Sequence, residues 1–404
     1  MRRILATVVV ATLSCVRAEP AVERSAAQSS EQALAQALAA AMLDAGTPSM
    51  DDPATCAVCH STIAAEFQQS MHSRSHHVAD PLYAAMRTFR LAKEGPGLAQ
   101  QCASCHSPRD TSDPESTIAS RGVTCATCHE LASVHLDKGQ HGAQALERGP
   151  AGLMRAGYAL DAGSSPLHET GAALSALTDG TTVCLACHAE DRNKAGVATC
   201  STGVELSSAA DQRSCTSCHM PSLDGPSGPV SARKAHLSHA FPGPHRAWDG
   251  VDASLVISAV KLSGRFEGDS FVATMENLSG HSFPTGFPAR MALVVMRGLD
   301  TTGAEVWRNV KGEPMKDHPE AVLNKVYVDA DGGMTLAPYG LKVSRDSRLT
   351  PGERRTLTVK VPATVASIEL TLRFWLVAPM AASRIGVEGP QAAPRDVVTV
   401  KVMR

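Results

Sequence analysis

Cys56-Ala57-Val58-Cys59-His60 is the first of five Cys-x-x-Cys-His pentapeptides in this chain of 404 residues. The others are Cys102-Ala103-Ser104-Cys105-His106, Cys125-Ala126-Thr127-Cys128-His129, Cys184-Leu185-Ala186-Cys187-His188 and Cys215-Thr216-Ser217-Cys218-His219. This pentapeptide is the attachment signature of c-type haem. Two thiols add across the haem vinyl groups, and the adjacent imidazole reaches the iron. Zinc or a redox dithiol would explain a cysteine pair. Neither needs a histidine directly after the second cysteine five times over. The pattern therefore implies five covalently bound haem c groups on these ten cysteines, with His60, His106, His129, His188 and His219 as proximal iron ligands.

Only Cys15 and Cys200 lie outside the motifs. Cys200 reads as a buried packing residue, with a free reactive thiol as the alternative.

Met1-Arg2-Arg3 followed by the apolar run Ile4 to Leu13 reads as a secretory signal peptide. Val16-Arg17-Ala18 offers small residues for cleavage after Ala18. Export agrees with haem c, which is attached outside the cytoplasm, and implies a periplasmic or secreted protein. Lipid anchoring through Cys15 is the rival reading, although Thr12-Leu13-Ser14-Cys15 fits a lipobox poorly. No further segment reaches membrane-spanning length.

Cleavage would move the formal net charge from −2 to −5 by removing Arg2, Arg3 and Arg17. Five ferric haems, each adding about −1 through two propionates against one positive iron–porphyrin centre, bring the holoprotein to about −10. That balance argues against a nucleic-acid partner and is compatible with docking to redox proteins.

Composition divides the chain. All five motifs precede Met220, and of fifteen aromatic residues only Phe67, Tyr83, Phe89 and Tyr158 precede Phe241. Such a stretch has little core of its own, and flat apolar porphyrins would supply one. Asp80-Pro81 predicts a helix start running to about Lys93 and stopped by Gly95. Ser29 to Asp44 predicts an Ala- and Gln-rich helix, read as a mobile arm. From about Asp249 the pattern changes. Ser254 to Val260, Met291 to Met296, Arg355 to Val361, Ile368 to Phe374 and Val397 to Val402 read as strands. Thr302-Gly303, Asp331-Gly332-Gly333 and Pro351-Gly352 read as turns between them. The expected fold class is α+β and multidomain: signal peptide 1–18, helical arm 19–50, a mainly helical and loop pentahaem domain 51–248, and an antiparallel β-sandwich domain 249–404.

Sixteen histidines less five proximal ones leave eleven: His72, His76, His77, His135, His141, His168, His236, His239, His245, His281 and His318. That supply suffices for a second histidine on every haem. An iron with histidine on both faces passes electrons, whereas an open face permits chemistry.

Several phrases narrow the choice. Cys56 to His72 reads CAVCHSTIAAEFQQSMH. Arg121-Gly122-Val123-Thr124 precedes the third motif and Ser165-Pro166-Leu167-His168-Glu169 the fourth. The fifth is CTSCHMP, followed by His239-Ala240-Phe241-Pro242-Gly243-Pro244-His245 and by Gly280-His281-Ser282-Phe283-Pro284-Thr285-Gly286. Over roughly residues 53 to 300 this order resembles the multihaem cytochrome c-554/c-552 family, related to hydroxylamine oxidoreductase and the multihaem nitrite reductases. The resemblance implies distal axial ligands at His72, His168, His239, His245 and His281, without saying which serves which haem. His135 and His141 are the next candidates. The chain departs from catalytic relatives in having no Cys-x-x-Cys-Lys motif and no tyrosine soon after the fifth motif.

The expected function is a secreted pentahaem cytochrome relaying electrons between redox partner proteins, quinol-linked carriers or other cytochromes, with a multihaem oligomer as one arrangement. The alternatives are an oxidoreductase of small nitrogen or sulfur oxyanions at one open haem, and a docking subunit of an extracellular electron conduit.

Overall fold

The computed structural model describes residues 26–46, 48–137, 139–159 and 165–404. The signal-peptide segment and Cys15 lie outside the described residues.

Each attachment motif sits on or beside a short helix: Pro53–Ala57, Leu98–His106, Cys125–His129, Thr182–His188 and Cys215–His219. A helical turn suits the chemistry, because positions i, i+3 and i+4 share one face. Both thiols and the imidazole then point to the same side. Local sequence nucleates these turns. Asp52 accepts the amide of Ala54 at 2.9 Å, with Pro53 opening the helix, and Ser214 accepts the amide of Ser217 at 3.3 Å. The helix predicted after Asp80 is Pro81–Glu94. The Asp80 carboxylate caps Leu82 and Tyr83, and Gly95 at φ 87° ends it.

The N-terminal helix is Ala26–Asp44. It is not a free arm: Ala35 and Ala39 are buried, and Gln32 and Gln36 line the central cavity. Small side chains let this helix approach closely despite its weak apolar stripe.

From Val260 onward the chain builds antiparallel sheets. Ser270–Asn277 lies between Val260–Glu267 and Arg354–Lys360. Met291–Leu299 lies between Glu305–Arg308 and Ser367–Trp375, with Arg395–Met403 outside the last. The two sheets share one core, in which Phe271, Met275, Met296, Ile368, Leu370, Leu372 and Phe374 are almost wholly buried. Each such side chain contributes about 1.5–3 kcal/mol of burial. One expected strand is different: Ser254–Ala259 is a short helix, and the strand begins at Val260. Asp252 accepts the Ser254 amide at 2.9 Å, and only Val256 of that helix is buried. A six-residue apolar run carries no period long enough to separate the two structures.

The motif-bearing region has a separate core cluster of only Leu131, Leu174 and Ala176. It surrounds a connected cavity of about 2770 Å³. Single-ligand pockets run to about 300–1,000 Å³, so this space has room for several cofactors. Polar contacts tie the cavity-bearing region to the sheets. Asn193 Nδ2 donates to the carbonyls of Ala337 and Gly340 at 2.8 and 2.7 Å, and Tyr339 donates to Glu94 at 3.1 Å.

Candidate haem-binding site

The ten motif cysteines and their five histidines all line the one cavity. The proximal imidazoles are met by others across it. His60 faces His168 with ring centres 6.4 Å apart and planes at 23°. His129 faces His239 at 6.2 Å and 26°. His219 faces His281 at 6.4 Å and 26°. His188 faces His72 at 6.3 Å, more tilted at 42°.

The spacing has a chemical reading. A metal–imidazole bond is about 2 Å and the ring centre lies about 1.1 Å behind the bonding nitrogen, so two imidazoles on opposite faces of one metal ion are centred about 6.2 Å apart. The described residues hold no group of three metal-binding side chains. Two imidazoles per site leave the four equatorial positions to a ligand such as a tetrapyrrole.

Hydrogen bonds aim the rings. Nδ1 donates to a backbone carbonyl in His106 (Ser75, 2.8 Å), His129 (Arg155, 2.7 Å) and His219 (Pro242, 3.0 Å). The same holds on the opposing side for His168 (Glu169, 3.1 Å), His239 (Leu237, 2.8 Å) and His281 (Ser282, 3.1 Å). Donation from Nδ1 fixes the tautomer and leaves the Nε2 lone pair free, as metal-ligating histidine requires. Burial favours the neutral form of eight of these rings. Together with neighbouring imidazoles it pulls His60, His188 and His239 to about 4 and His72 to about 3. Burial also lowers His106, His129, His219 and His281.

His106 differs. Among the described residues no histidine ring faces it. Its own ring lies flat on Tyr83, with centres 3.7 Å apart and planes at 9°. His245, expected from the resemblance as a fifth distal ligand, faces no proximal ring; it lines the cavity near Arg290. Other spare histidines are engaged elsewhere. His76 uses both nitrogens, on the Pro114 carbonyl at 2.9 Å and the Val78 amide at 3.3 Å. His236 does likewise with Gly225 and Glu66. His135 pairs with Glu147 at the surface. His141 sits against Cys105 and the Cys187 carbonyl. Cys200 is deep, against Thr202 at 3.8 Å, and burial raises its thiol pKa.

Motif cysteines meet across the cavity. Cys56 lies against Cys125, Cys105 against Cys187 and Cys184 against Cys215. Cys128 is also within electrostatic reach of Cys184. The motif at Cys184 thus touches the second and fifth motifs and lies within electrostatic reach of the third.

Sequence reasoning missed three supporting residues. Phe241 packs edge-on against His72 at 4.4 Å and adopts φ 44°, a strained conformation for an aromatic residue. Tyr83 covers His106. Glu205 holds the His281 loop: its carboxylate accepts from the Ser282 amide at 3.2 Å and the Thr285 hydroxyl at 2.5 Å, and pairs with Arg348 at 2.6 Å. A glutamate in a short polar helix carries no local signal of this role.

Comparisons with known proteins bear on the fold and on one stretch of the chain. The family model described as "Cytochrome c554 and c-prime" matches residues 55–130. The fold matches the crystal structure of a penta-heme cytochrome c552 from Thermochromatium tepidum, with a TM-score of 0.71 at 23% identity, covering 86% of this chain and 97% of that one. None of the curated proteins compared matches the chain. The matched stretch carries the first three attachment motifs, and at that identity the structural match shows a shared fold. Among the described residues no helix is long and apolar enough to cross a membrane.

Proposed function

We propose that the chain is an exported pentahaem cytochrome c that relays single electrons between redox partner proteins. The observation that carries this reading is the set of four imidazole pairs centred 6.2–6.4 Å apart. In this reading haem c groups sit on Cys56/Cys59, Cys102/Cys105, Cys125/Cys128, Cys184/Cys187 and Cys215/Cys218. Bound haem supplies a one-electron couple. The protein would supply four facing pairs of imidazoles, five of the eight rings oriented by backbone carbonyls, together with a largely apolar enclosure that limits reorganisation. The cysteine contacts support a branched order. The first and third sites adjoin, the fourth adjoins the second and fifth, and the third lies within electrostatic reach of the fourth. The division into a haem module over 51–248 and a β-sandwich module over 249–404 belongs to the same reading, with the sandwich contributing His281.

Intact mass of protein matured in a haem-attaching host should show five haem increments. Electron paramagnetic resonance of the oxidised protein should show at least four low-spin ferric haems. Fewer than five increments, or a mainly high-spin spectrum, would overturn the reading.

A second reading is favoured at one place. His106 has Tyr83 beside it and no histidine opposite, so the haem on Cys102/Cys105 is the one suited to bind a small nitrogen or sulfur oxyanion.

A further inference from the structure

Arg290 lies nine residues beyond His281 on the same loop. Its guanidinium is deep in the molecule, and burial pulls its pKa down to about 10. Nη1 donates to the Thr285 carbonyl at 2.8 Å, while Nε has no partner. Asp80 and the Cys200 thiol act on it only through space. The loop makes room for this cation: Gly286 has φ 77°, and a Cβ there would lie 2.9 Å from Nη1. The side chain lines the cavity, within electrostatic reach of His188, His281 and His245.

An uncompensated buried charge is costly, by several kcal/mol in general. Guanidinium is retained in such places where a planar oxyanion meets its fork of N–H donors. Among the described residues no carboxylate pairs with it directly, Asp80 acting only through space, so a direct counter-charge has to come from within the cavity. Haem carries two carboxylates of the right shape.

We propose that Arg290 is the receiving site for a carboxylate-type oxyanion where the His188 and His281 sites meet, and that a haem propionate supplies it. This rests on haem c occupying the cavity as proposed above. The loop then grips its haem at two points, through His281 at the iron and through Arg290 at the porphyrin rim. A small free oxyanion offers the same chemistry and would compete for the same donors.

The test uses holoprotein whose five haem increments have first been verified by mass, so that failure of the haem reading is recognised separately. Wild type, Arg290→Lys and Arg290→Met are titrated spectroelectrochemically, with and without millimolar nitrite. Loss of a positive charge beside a propionate favours the ferric state. In Arg290→Met one haem should therefore become about tenfold harder to reduce at the wild-type midpoint, while Arg290→Lys stays within about threefold. The low-spin spectrum should persist in both, which separates this role from loss of an axial ligand. Indifference to nitrite, in wild type, of the haem whose midpoint Arg290→Met shifts assigns the site to propionate. A saturable nitrite response that Arg290→Met abolishes assigns it to a free oxyanion and overturns the propionate assignment. Unchanged midpoints in Arg290→Met with no nitrite response overturn the site altogether. Should Arg290→Met not mature, Arg290→Gln takes its place. A holoprotein crystal structure without a carboxylate oxygen in hydrogen-bonding reach of Arg290 would also refute the propionate assignment.

Discussion

His281 stacks opposite His219 at 6.4 Å, although 62 residues separate them and one follows a β-strand while the other ends an attachment helix. The loop carrying His281 leaves the strand Ser270–Asn277 and is anchored in the sheet core by Phe283, which packs on Phe374 at 5.7 Å. The sheets thereby take part in the cavity they border. His281→Ala should convert one low-spin haem to high-spin, allow that haem to bind carbon monoxide, and raise its potential by at least about 59 mV, a tenfold change for one electron. An unchanged resonance spectrum and unchanged redox titration would show that the loop only packs.

The carboxylate of Glu205 bridges the two regions and holds this loop through the Ser282 amide, Thr285 and Arg348. The side chains of Glu205 and Arg348 are 9% and 14% exposed. Removing one partner of a pair so enclosed costs about 3–5 kcal/mol. Glu205→Ala should lower unfolding stability by that amount and give partial high-spin character at the haem between His219 and His281. Glu205→Gln, which keeps an acceptor, should preserve the low-spin spectrum with a smaller stability loss. Equal spectra for wild type and Glu205→Ala would count against a positioning role.

Gly228 packs against the first attachment motif. A Cβ there would lie 2.2 Å from the Cys59 carbonyl oxygen and 2.9 Å from His60 Cα. Both are backbone atoms and cannot swing away. Gly228→Ala should therefore cost about 1–3 kcal/mol as an overpacking defect and reduce haem loading on Cys56/Cys59, seen as a four-haem species by mass. Gly97→Ala, where the added carbon meets nothing within 4 Å, is the control and should load fully.

The cofactor was legible because its signature is covalent and local: five residues state the chemistry without reference to the fold. The strands Arg354–Lys360 and Ser367–Trp375 were legible because their apolar residues alternate, and Met291–Leu299 because it is a continuous apolar, β-branched run. Ser254–Ala259 was not, since a short apolar run fits either period. Partner choice among the histidines was beyond the sequence. His60 and His168 are 108 residues apart, and their meeting depends on the path of the whole chain. Arg290 and Glu205 stayed hidden for the same reason. Their significance is burial beside a cavity, and isolated charged residues read as solvated.

Glu94 gives a pH-dependent contact between the regions. Its carboxylate accepts hydrogen bonds from Arg90, Lys194 and Tyr339, which together hold its pKa down to about 2. A depressed folded value means the contribution is present above the unfolded value near 4.5 and is lost as pH falls from there towards 2. Lys194 is 77% exposed, so screening limits the contribution to about 1 kcal/mol. The difference in denaturation midpoint between wild type and Glu94→Gln should be constant above pH 5 and shrink below about 4.5. A difference independent of pH would mean that the carboxylate's charge is not what matters.

The remaining prediction concerns the haem on Cys102/Cys105. Its proximal His106 is set like the others, with Nδ1 tied to the Ser75 carbonyl at 2.8 Å, yet Tyr83 is the ring against it. Tyr83 also reaches Cys102 with its hydroxyl, and burial pushes that hydroxyl's pKa up. It therefore stays protonated at neutral pH, as a hydrogen-bond donor and not an anionic iron ligand. An iron held by one imidazole has a face for an external ligand, whereas the four paired sites do not. Cyanide should accordingly bind the oxidised wild type at about one site per chain, and His72→Ala should raise this to about two. Tyr83→Phe should leave the stoichiometry at one while changing the affinity. No cyanide binding by wild type would mean that a side chain not paired here closes the sixth position, which would leave electron relay as the sole function the site supports.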